Sequence, residues 1–189
     1  AKTWVEAIPE LRDNSVSRDI VAKRIFDRIR GYQFANGETL NIVGHSHGGN
    51  VAALLSKMLN RKIDNLITLG TPIRSDYQFD ESNIGQHINA YSNVDPVQFL
   101  GGGQFRGMSL LLGLGGFGAC GGLCGVAGFV LGAQTGLGEF GPAGRVVHGI
   151  PQDQNIDVTN SASYIRWNTH SSLWSNPRVW QVIAGKIAK

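Results

Sequence analysis

Apolar residues recur at helical spacing in residues 15–32, near the start of the chain. They lie three to five positions apart, the spacing that places side chains on one face of a helix. The apolar set is Ile20, Val21, Ala22, Ile25, Phe26 and Ile29. Charged residues fill the opposite face: Arg18, Lys23, Arg24, Asp27, Arg28 and Arg30. The pattern predicts an amphipathic helix that ends at Gly31, because glycine is frequent just after the last helical turn.

Short apolar runs alternate with further helical spacing through the rest of the chain. Their length is typical of strands that are buried on both faces. The predicted strands are residues 39–43, 65–69 and 87–91, with short late strands at residues 145–150 and 156–158. The predicted later helices are residues 50–59 and 177–188. Strands that alternate with helices predict an α/β fold, with a mostly parallel sheet and helices on both of its faces.

The composition fits a single domain over residues 1–189 and excludes several classes of protein. The charged fraction is low, at 16%, but aromatic and aliphatic residues supply enough core material to exclude disorder. The net charge of +3 is small and its Lys and Arg are scattered, so no nucleic-acid partner is expected. Two cysteines, Cys120 and Cys124, are too few for a disulfide scaffold or a four-cysteine zinc site.

A G-x-S-x-G motif lies between the first predicted strand and the next predicted helix. It consists of Gly44, His45, Ser46, His47 and Gly48. A sharp turn from strand to helix forces the residue at its apex into a strained backbone conformation. We expect side chains two positions before and after the apex to collide with the turn, so glycine is needed at both positions. The pattern predicts a nucleophile elbow that exposes Ser46, with the backbone N–H of His47 facing an oxyanion. A phosphate-binding loop would need a Walker lysine or G-x-G-x-x-G spacing, and this turn has neither.

A serine nucleophile needs a general base, and four histidines follow Ser46 in the chain. His47 lies inside the elbow and cannot fold back onto the serine, and His87 begins a predicted strand at the wrong edge of the sheet. His148 lies in a short apolar run, whereas His170 lies in a polar segment that we predict to be a loop. Catalytic groups concentrate in loops, so His170 is the favoured base and His148 the alternative.

Asp95 is the favoured third group, because it follows a buried strand two strands after the serine. The carboxyl ends of parallel strands meet at one edge of the sheet, which places Asp95 on the same edge as Ser46. Other acidic residues have a weaker context: Asp76, Asp80, Asp153 and Asp157. His45 and His47 form an H-x-H pair, but no nearby carboxylate completes a metal-ligand set, so we expect neither a metal nor another cofactor.

These motifs together resemble the α/β-hydrolase superfamily, and within it the lipase-like branch. The resemblance is carried by residues 42–51, 69–72, 91–97 and 169–174. It covers residues 15–98 and 160–189, and it implies hydrolysis of acyl esters through an acyl-enzyme with Ser46, Asp95 and His170 as a triad. The sequence also looks like lipase domains found among bacterial antagonistic effectors and polymorphic toxins.

The early N-terminal strands of that superfamily have no counterpart in this sequence. In those enzymes the second oxyanion N–H comes from a loop after an early strand, often bearing His-Gly, and no such strand and loop precede Ala1. We therefore expect an upstream segment or a second chain to complete the sheet and the oxyanion hole.

Residues 101–144 form a glycine-rich apolar insertion between the predicted acid and the predicted base. They hold 17 of the 26 glycines, and residues 107–138 carry no charge. Glycines four positions apart let helices approach closely in lipid, and a membrane span needs about 20 apolar residues. Three interpretations remain open: a lid-like helical hairpin over the active site, a membrane-docking or membrane-inserting element, and a flexible linker.

The sequence thus predicts a serine hydrolase that cleaves carboxylic esters of lipids, as a lipase or phospholipase does. The expected partners are a lipid or ester substrate and a membrane surface, for a protein that is secreted or delivered to a target cell. Two alternatives remain open: a general esterase or acyltransferase, and a membrane-inserting, toxin-like protein that acts through its glycine-rich segment.

Overall fold

A four-stranded parallel sheet lies at the centre of the described structure. The structure is a computed structural model that describes residues 15–74, 76–95, 145–161 and 169–187. The strands are β1 (Asn41–His45), β2 (Ile63–Leu69), β3 (Ile84–Tyr91) and β4 (Asn155–Asp157). They lie side by side in chain order, and every neighbouring pair is parallel. In the first pair, His45 lies opposite Leu69. The predicted α/β fold with a parallel sheet is confirmed.

Four helices accompany the sheet in the described part of the chain. They are α1 (Ser15–Arg30), α2 (His47–Met58), α3 (Thr169–Ser175) and α4 (Pro177–Ile187). Single 3₁₀ turns at Glu81–Asn83 and Gln152–Gln154 directly precede β3 and β4. The sequence pattern therefore located the longer elements to within a few residues, and α1 ends immediately before Gly31 as expected.

The strand expected at residues 145–150 is wrong, because that stretch consists of bends and turns. Val147 is buried there, but its backbone bonds to a side chain rather than to a neighbouring strand. Its N–H donates to Asn155 Oδ1 at 2.8 Å, and its carbonyl accepts from Asn155 Nδ2 at 3.1 Å. A single asparagine side chain thus satisfies the backbone groups that a sheet partner would otherwise take.

Each face of the sheet is covered by its own apolar cluster, because successive strand residues point to opposite faces. On one face, Leu66 of β2 packs in a cluster formed with α1 and α2. On the other face, Ile67 packs in a cluster with Leu173 of α3 and Ile183 of α4. Burial on both faces explains why the strands appear in the sequence as continuous apolar runs.

The two faces of α1 depart from the sequence pattern at two positions. Ile20, expected on the apolar face, is 49% exposed, whereas Arg18, expected on the charged face, is only 2% exposed. The Arg18 guanidinium donates to the Tyr77 hydroxyl at 2.8 Å and to the ring of His47 at 3.3 Å. Burial of a charged group is tolerated when hydrogen bonds replace its contacts with water, so the surroundings of α1 override the simple helical pattern.

The outer strand β1 pairs only with β2 among the described residues. Val43 in this strand is 52% exposed, although strands of a parallel sheet are normally covered on both faces. The expectation that a further strand pairs with β1 stays a prediction. The glycine-rich insertion at residues 101–144 lies outside the described residues, and none of the helices that are described is long and apolar enough to cross a membrane.

The end of β1 packs unusually closely against the start of α2. A Cβ on Gly44 would lie 2.7 Å from the Cα of Gly49, and a Cβ on Gly49 would overlap the Thr71 side chain. A Cβ on Gly48, in contrast, would meet nothing within 4 Å. The expected steric need for glycine therefore holds at position 44 and is wrong at position 48, where the neighbouring Gly49 carries the requirement.

We predict opposite effects for two alanine substitutions in this motif. Gly44→Ala should lower the free energy of unfolding by about 2 kcal/mol, because the added methyl group meets backbone that cannot move aside. Gly48→Ala should leave it unchanged or raise it by up to about 1 kcal/mol, because alanine favours the helix. Urea denaturation of the two variants and the parent measures both changes, and equal losses would contradict the steric argument.

Candidate active site

Ser46 occupies a strained turn between the last residue of β1 and the first residue of α2. Its backbone angles are φ 55° and ψ −132°, and it is the one non-glycine residue with positive φ in the described ranges. Such a conformation costs roughly 1–3 kcal/mol and persists only where surrounding contacts impose it. The Ser46 N–H donates to the Leu69 carbonyl at 2.9 Å, and the Ser46 side chain makes no capping bond to α2. The turn therefore has the geometry of a nucleophile elbow, with a hydroxyl that is not used to cap the helix.

Asp95 and His170 are joined by a hydrogen bond of 2.7 Å between Asp95 Oδ2 and His170 Nδ1. Asp95 follows the end of β3 and is 1% exposed. An ionised carboxylate can only accept, so the His170 proton lies on Nδ1 and Nε2 is left with its lone pair. This is the tautomer that a general base needs.

His170 lies in the first turn of α3, and the predicted loop at this position is wrong. The start of α3 is held in place by packing, since Thr169 and Leu173, which lie before and after His170 in the chain, are both fully buried. Leu173 belongs to the apolar cluster that covers β2 and β3. The imidazole therefore stands on an element that is packed against the sheet.

The fold brings Ser46, Asp95 and His170 to the carboxyl edge of the sheet. Ser46 follows β1, Asp95 follows β3, and His45 next to the serine contacts His170 directly. The two imidazole rings are 4.6 Å apart between centroids. No hydrogen bond joins the Ser46 side chain to His170 among the described contacts. Catalytic bonds of this kind often form only when substrate binds, so their absence here does not exclude proton transfer between the two groups.

The other sequence candidates lie elsewhere or have different partners. His148 is exposed. His87 is buried within β3, where Nδ1 lies 2.9 Å from Glu81 Oε1. Asp76 accepts two bonds from Arg74 at 2.8 and 2.7 Å. The three remaining acids contact residues outside the site: Asp80 accepts from Ser82, Asp153 lies 3.6 Å from Lys186 Nζ, and Asp157 accepts from Asn93 and Thr159.

Two hydrogen-bond donors, from Arg18 and Asn50, hold the His47 ring at its Nδ1 atom. His47 Nδ1 lies 3.3 Å from Arg18 Nη1 and 3.2 Å from Asn50 Nδ2. Arginine can only donate, so Nδ1 accepts and the ring proton lies on Nε2. His47 is also the first residue of α2, and the first N–H groups of a helix lack partners within it. Its backbone N–H therefore lies in the first turn of α2, directly after Ser46.

His45 and His47 do not share a ligand site, because they contact different groups. The His45 ring bonds to the backbone of His170, whereas the His47 ring bonds to Arg18 and Asn50. Within the ranges that the structure describes, no three His, Cys, Asp or Glu side chains form a group that could hold a metal ion.

Gly70 lacks a side chain, which leaves room for the side chains of Asp95 and His170. It follows β2 with φ 55°, and a Cβ there would lie 2.6 Å from Leu173 Cδ1 and 3.1 Å from Asp95 Oδ2. No pattern in the sequence assigned a role in the site to this glycine, to Arg18 or to Leu173. The usable signal was a glycine directly after a buried strand, where the backbone often needs a conformation that other residues avoid.

Residues 18–103 match a family model described as a PGAP1-like alpha/beta domain, which belongs to the α/β-hydrolase superfamily. The four-stranded parallel sheet with its helices is an α/β architecture consistent with an α/β-hydrolase-like fold. The match spans a little under half of the chain and contains Ser46 and Asp95, while His170 lies beyond it. No curated protein and no solved structure matches the chain significantly. The match supports a hydrolase-type function and leaves the bond that is cleaved to be proposed.

The pKa of the His45 imidazole is lowered from its ordinary value of 6.5. Burial is the main cause, because it disfavours the charged ring. The nearby His170 lowers the pKa further, whereas the bond to the His170 carbonyl and the charge of Asp95 raise it. His45 is therefore neutral at neutral pH.

We predict that His45 makes the fold less stable in acid. Below about pH 6.5 the unfolded chain binds a proton at His45 before the folded chain does, so protonation favours unfolding as the pH falls. The free energy of unfolding of the parent should therefore fall more steeply between about pH 7 and pH 5 than that of His45→Phe. Urea titrations across this range measure the difference, and parallel curves would contradict the lowered pKa.

We predict that Gly70→Ala damages both the fold and the site. The positive φ costs roughly 1–2 kcal/mol for a residue with a side chain, and the methyl group also displaces Asp95 or Leu173. Gly37→Ala is the matched control, because Gly37 has φ 77° and no atom within 4 Å of its added Cβ. Both variants should lose stability in urea, but only Gly70→Ala should shift the NMR signals of the His170 ring. Unchanged signals would contradict the crowding argument.

Proposed function

We propose that this protein is a serine hydrolase that cleaves carboxylic esters of lipids. The observation that carries the proposal is the 2.7 Å hydrogen bond between Asp95 and His170 at the same sheet edge as the strained Ser46. A hydroxyl at a partly exposed turn, a correctly protonated imidazole and a buried carboxylate are the groups that acyl transfer requires. The hydrolase-type family match supports the same reaction class.

The proposed reaction begins when Ser46 Oγ attacks the ester carbonyl and passes its proton to His170 Nε2. Asp95 stabilises the imidazolium that forms, and the His47 N–H stabilises the oxyanion. The tetrahedral intermediate collapses, the C–O bond breaks, and the imidazolium returns the proton to the leaving alcohol. Water then attacks the acyl-serine with His170 again as base, which releases the acid and restores Ser46.

A lipid substrate is supported by exposed apolar side chains next to the acid and the base. Trp174 lies one helical turn after His170 and is 58% exposed, and Val94 precedes Asp95 and is 45% exposed. Residues four apart on a helix share a face, so Trp174 offers an apolar contact beside the base. The uncharged composition of residues 107–138 favours a lipid surface as well.

We predict that Ser46→Ala reduces ester hydrolysis by at least about 10³-fold, because the acyl-enzyme cannot form. Turnover of p-nitrophenyl esters of increasing chain length and of phospholipid vesicles measures the loss and the substrate class. Ser171→Ala is the control, because Ser171 is an exposed serine beside His170, and it should retain activity.

Three outcomes separate this proposal from the alternatives. Retained turnover in Ser46→Ala would contradict the serine mechanism. Serine-dependent turnover of short soluble esters alone, or transfer of the acyl group to an added alcohol in preference to water, would replace the lipase with an esterase or acyltransferase. Vesicle leakage that is equal in the parent and in Ser46→Ala would favour a membrane-inserting protein.

A further inference from the structure

His45, at the end of β1, makes two contacts with His170 that the proposed reaction does not use. Its Nε2 lies 2.9 Å from the backbone oxygen of His170. Its ring lies tilted at 39° to the His170 ring, with 4.6 Å between centroids. The residues are 125 positions apart in the chain, so this contact joins the first strand to the third helix.

The chemistry of the contact fixes the state of His45. A carbonyl oxygen can only accept, so His45 Nε2 carries the proton and donates it. The neutral ring has one proton, which leaves Nδ1 without one. Because its donor is used on the backbone of His170, His45 is not available as a competing general base through that nitrogen.

The position of His45 couples the nucleophile to the base. His45 directly precedes Ser46, whose backbone is fixed by the strained turn and by the Leu69 carbonyl. The bond from His45 fixes the backbone of His170, and the bond to Asp95 fixes its ring. The Ser46-to-His170 distance is therefore set by contacts at both ends of the His170 residue.

We propose that His45 is a positioning residue, whose Nε2–H holds the His170 backbone at the distance that Ser46 needs for proton transfer. The inference deepens the proposed ester hydrolysis and rests on it. Displacement of about 1 Å at a catalytic group lowers rates by roughly 10²-fold, so one bond at this point has a large effect on turnover.

The charge of His45 also affects proton transfer to His170. The titratable groups that act on its ring in the described structure are His170 and Asp95. When His170 takes the serine proton, a charged His45 at 4.6 Å would repel it. A neutral His45 adds no repulsion to the imidazolium that the proposed reaction pairs with Asp95.

Three variants test the proposal. His45→Phe keeps an aromatic ring and removes the donor, whereas His45→Gln restores a donor at a similar reach without the ring. His148→Phe is the matched control, because His148 is an exposed histidine. For each variant we measure kcat and KM for an ester that the parent cleaves, the pH profile of kcat/KM, and the NMR titration of the His170 ring.

The proposal expects His45→Phe to lower kcat by roughly 10- to 100-fold with KM within about twofold, and to shift the acid limb of the pH profile. His45→Gln should recover most of the loss, and His148→Phe should behave like the parent. Parent-like kcat and His170 titration in His45→Phe would overturn the proposal. Equal losses in the Phe and Gln variants, with an unshifted titration, would overturn it too and indicate packing alone.

The NMR titration also separates this inference from the proposed function. If the parent cleaves no ester in a Ser46-dependent manner, the proposed function fails. The His170 titration needs no substrate, so a shift in His45→Phe that His45→Gln reverses would still show that His45 positions His170.

Discussion

The hydrogen bond between Asp95 and His170 is the interaction on which the site depends. It joins groups 75 positions apart, and it forms because β3 and α3 pack in one apolar cluster, which brings the end of β3 beside the start of α3. β3 carries the chain to Asp95, and the burial of Leu173 sets α3 against the same face of the sheet. Gly70 has no side chain to collide with Leu173 and Asp95 where they meet. A buried carboxylate is costly without such a partner, so the bond offsets the burial of Asp95 and holds the His170 ring in one orientation.

The strained turn at Ser46 depends on a different set of contacts, formed by close packing. The absence of side chains at Gly44 and Gly49 lets the end of β1 approach the start of α2, and the Leu69 carbonyl holds the Ser46 N–H in line with the sheet. The strain at φ 55° is therefore offset by the parallel sheet and by helix packing. The nucleophile and the acid–base pair are supported by different contacts, and they share the edge of one sheet because the strands are parallel.

Much of this arrangement could be predicted from the sequence, because the apolar runs and the motif report burial and turn geometry directly. β2, β3 and the elbow follow from local pattern, and the choice of Asp95 follows from the shared carboxyl edge of parallel strands. Predictions from the local sequence pattern were wrong where contacts between distant parts of the chain determine the structure. Arg18 is buried because Tyr77 and His47 accept its donors. Residues 145–150 form no strand because Asn155 bonds to Val147. His170 lies in a helix because Leu173 anchors a segment whose polar residues resemble a loop.

The two histidines that flank Ser46 illustrate how adjacent residues of one type take different roles. Both rings carry their proton on Nε2, but for different reasons. His45 donates that proton to the His170 carbonyl. His47 instead accepts hydrogen bonds at Nδ1 from Arg18 and Asn50. Burial disfavours a charge on His45, and a proton on His47 Nδ1 would face the N–H groups of Arg18. Of the three imidazoles near the serine, His170 bonds directly to a carboxylate, at 2.7 Å from Asp95, so it is the group to which the proposed reaction assigns the proton of the nucleophile.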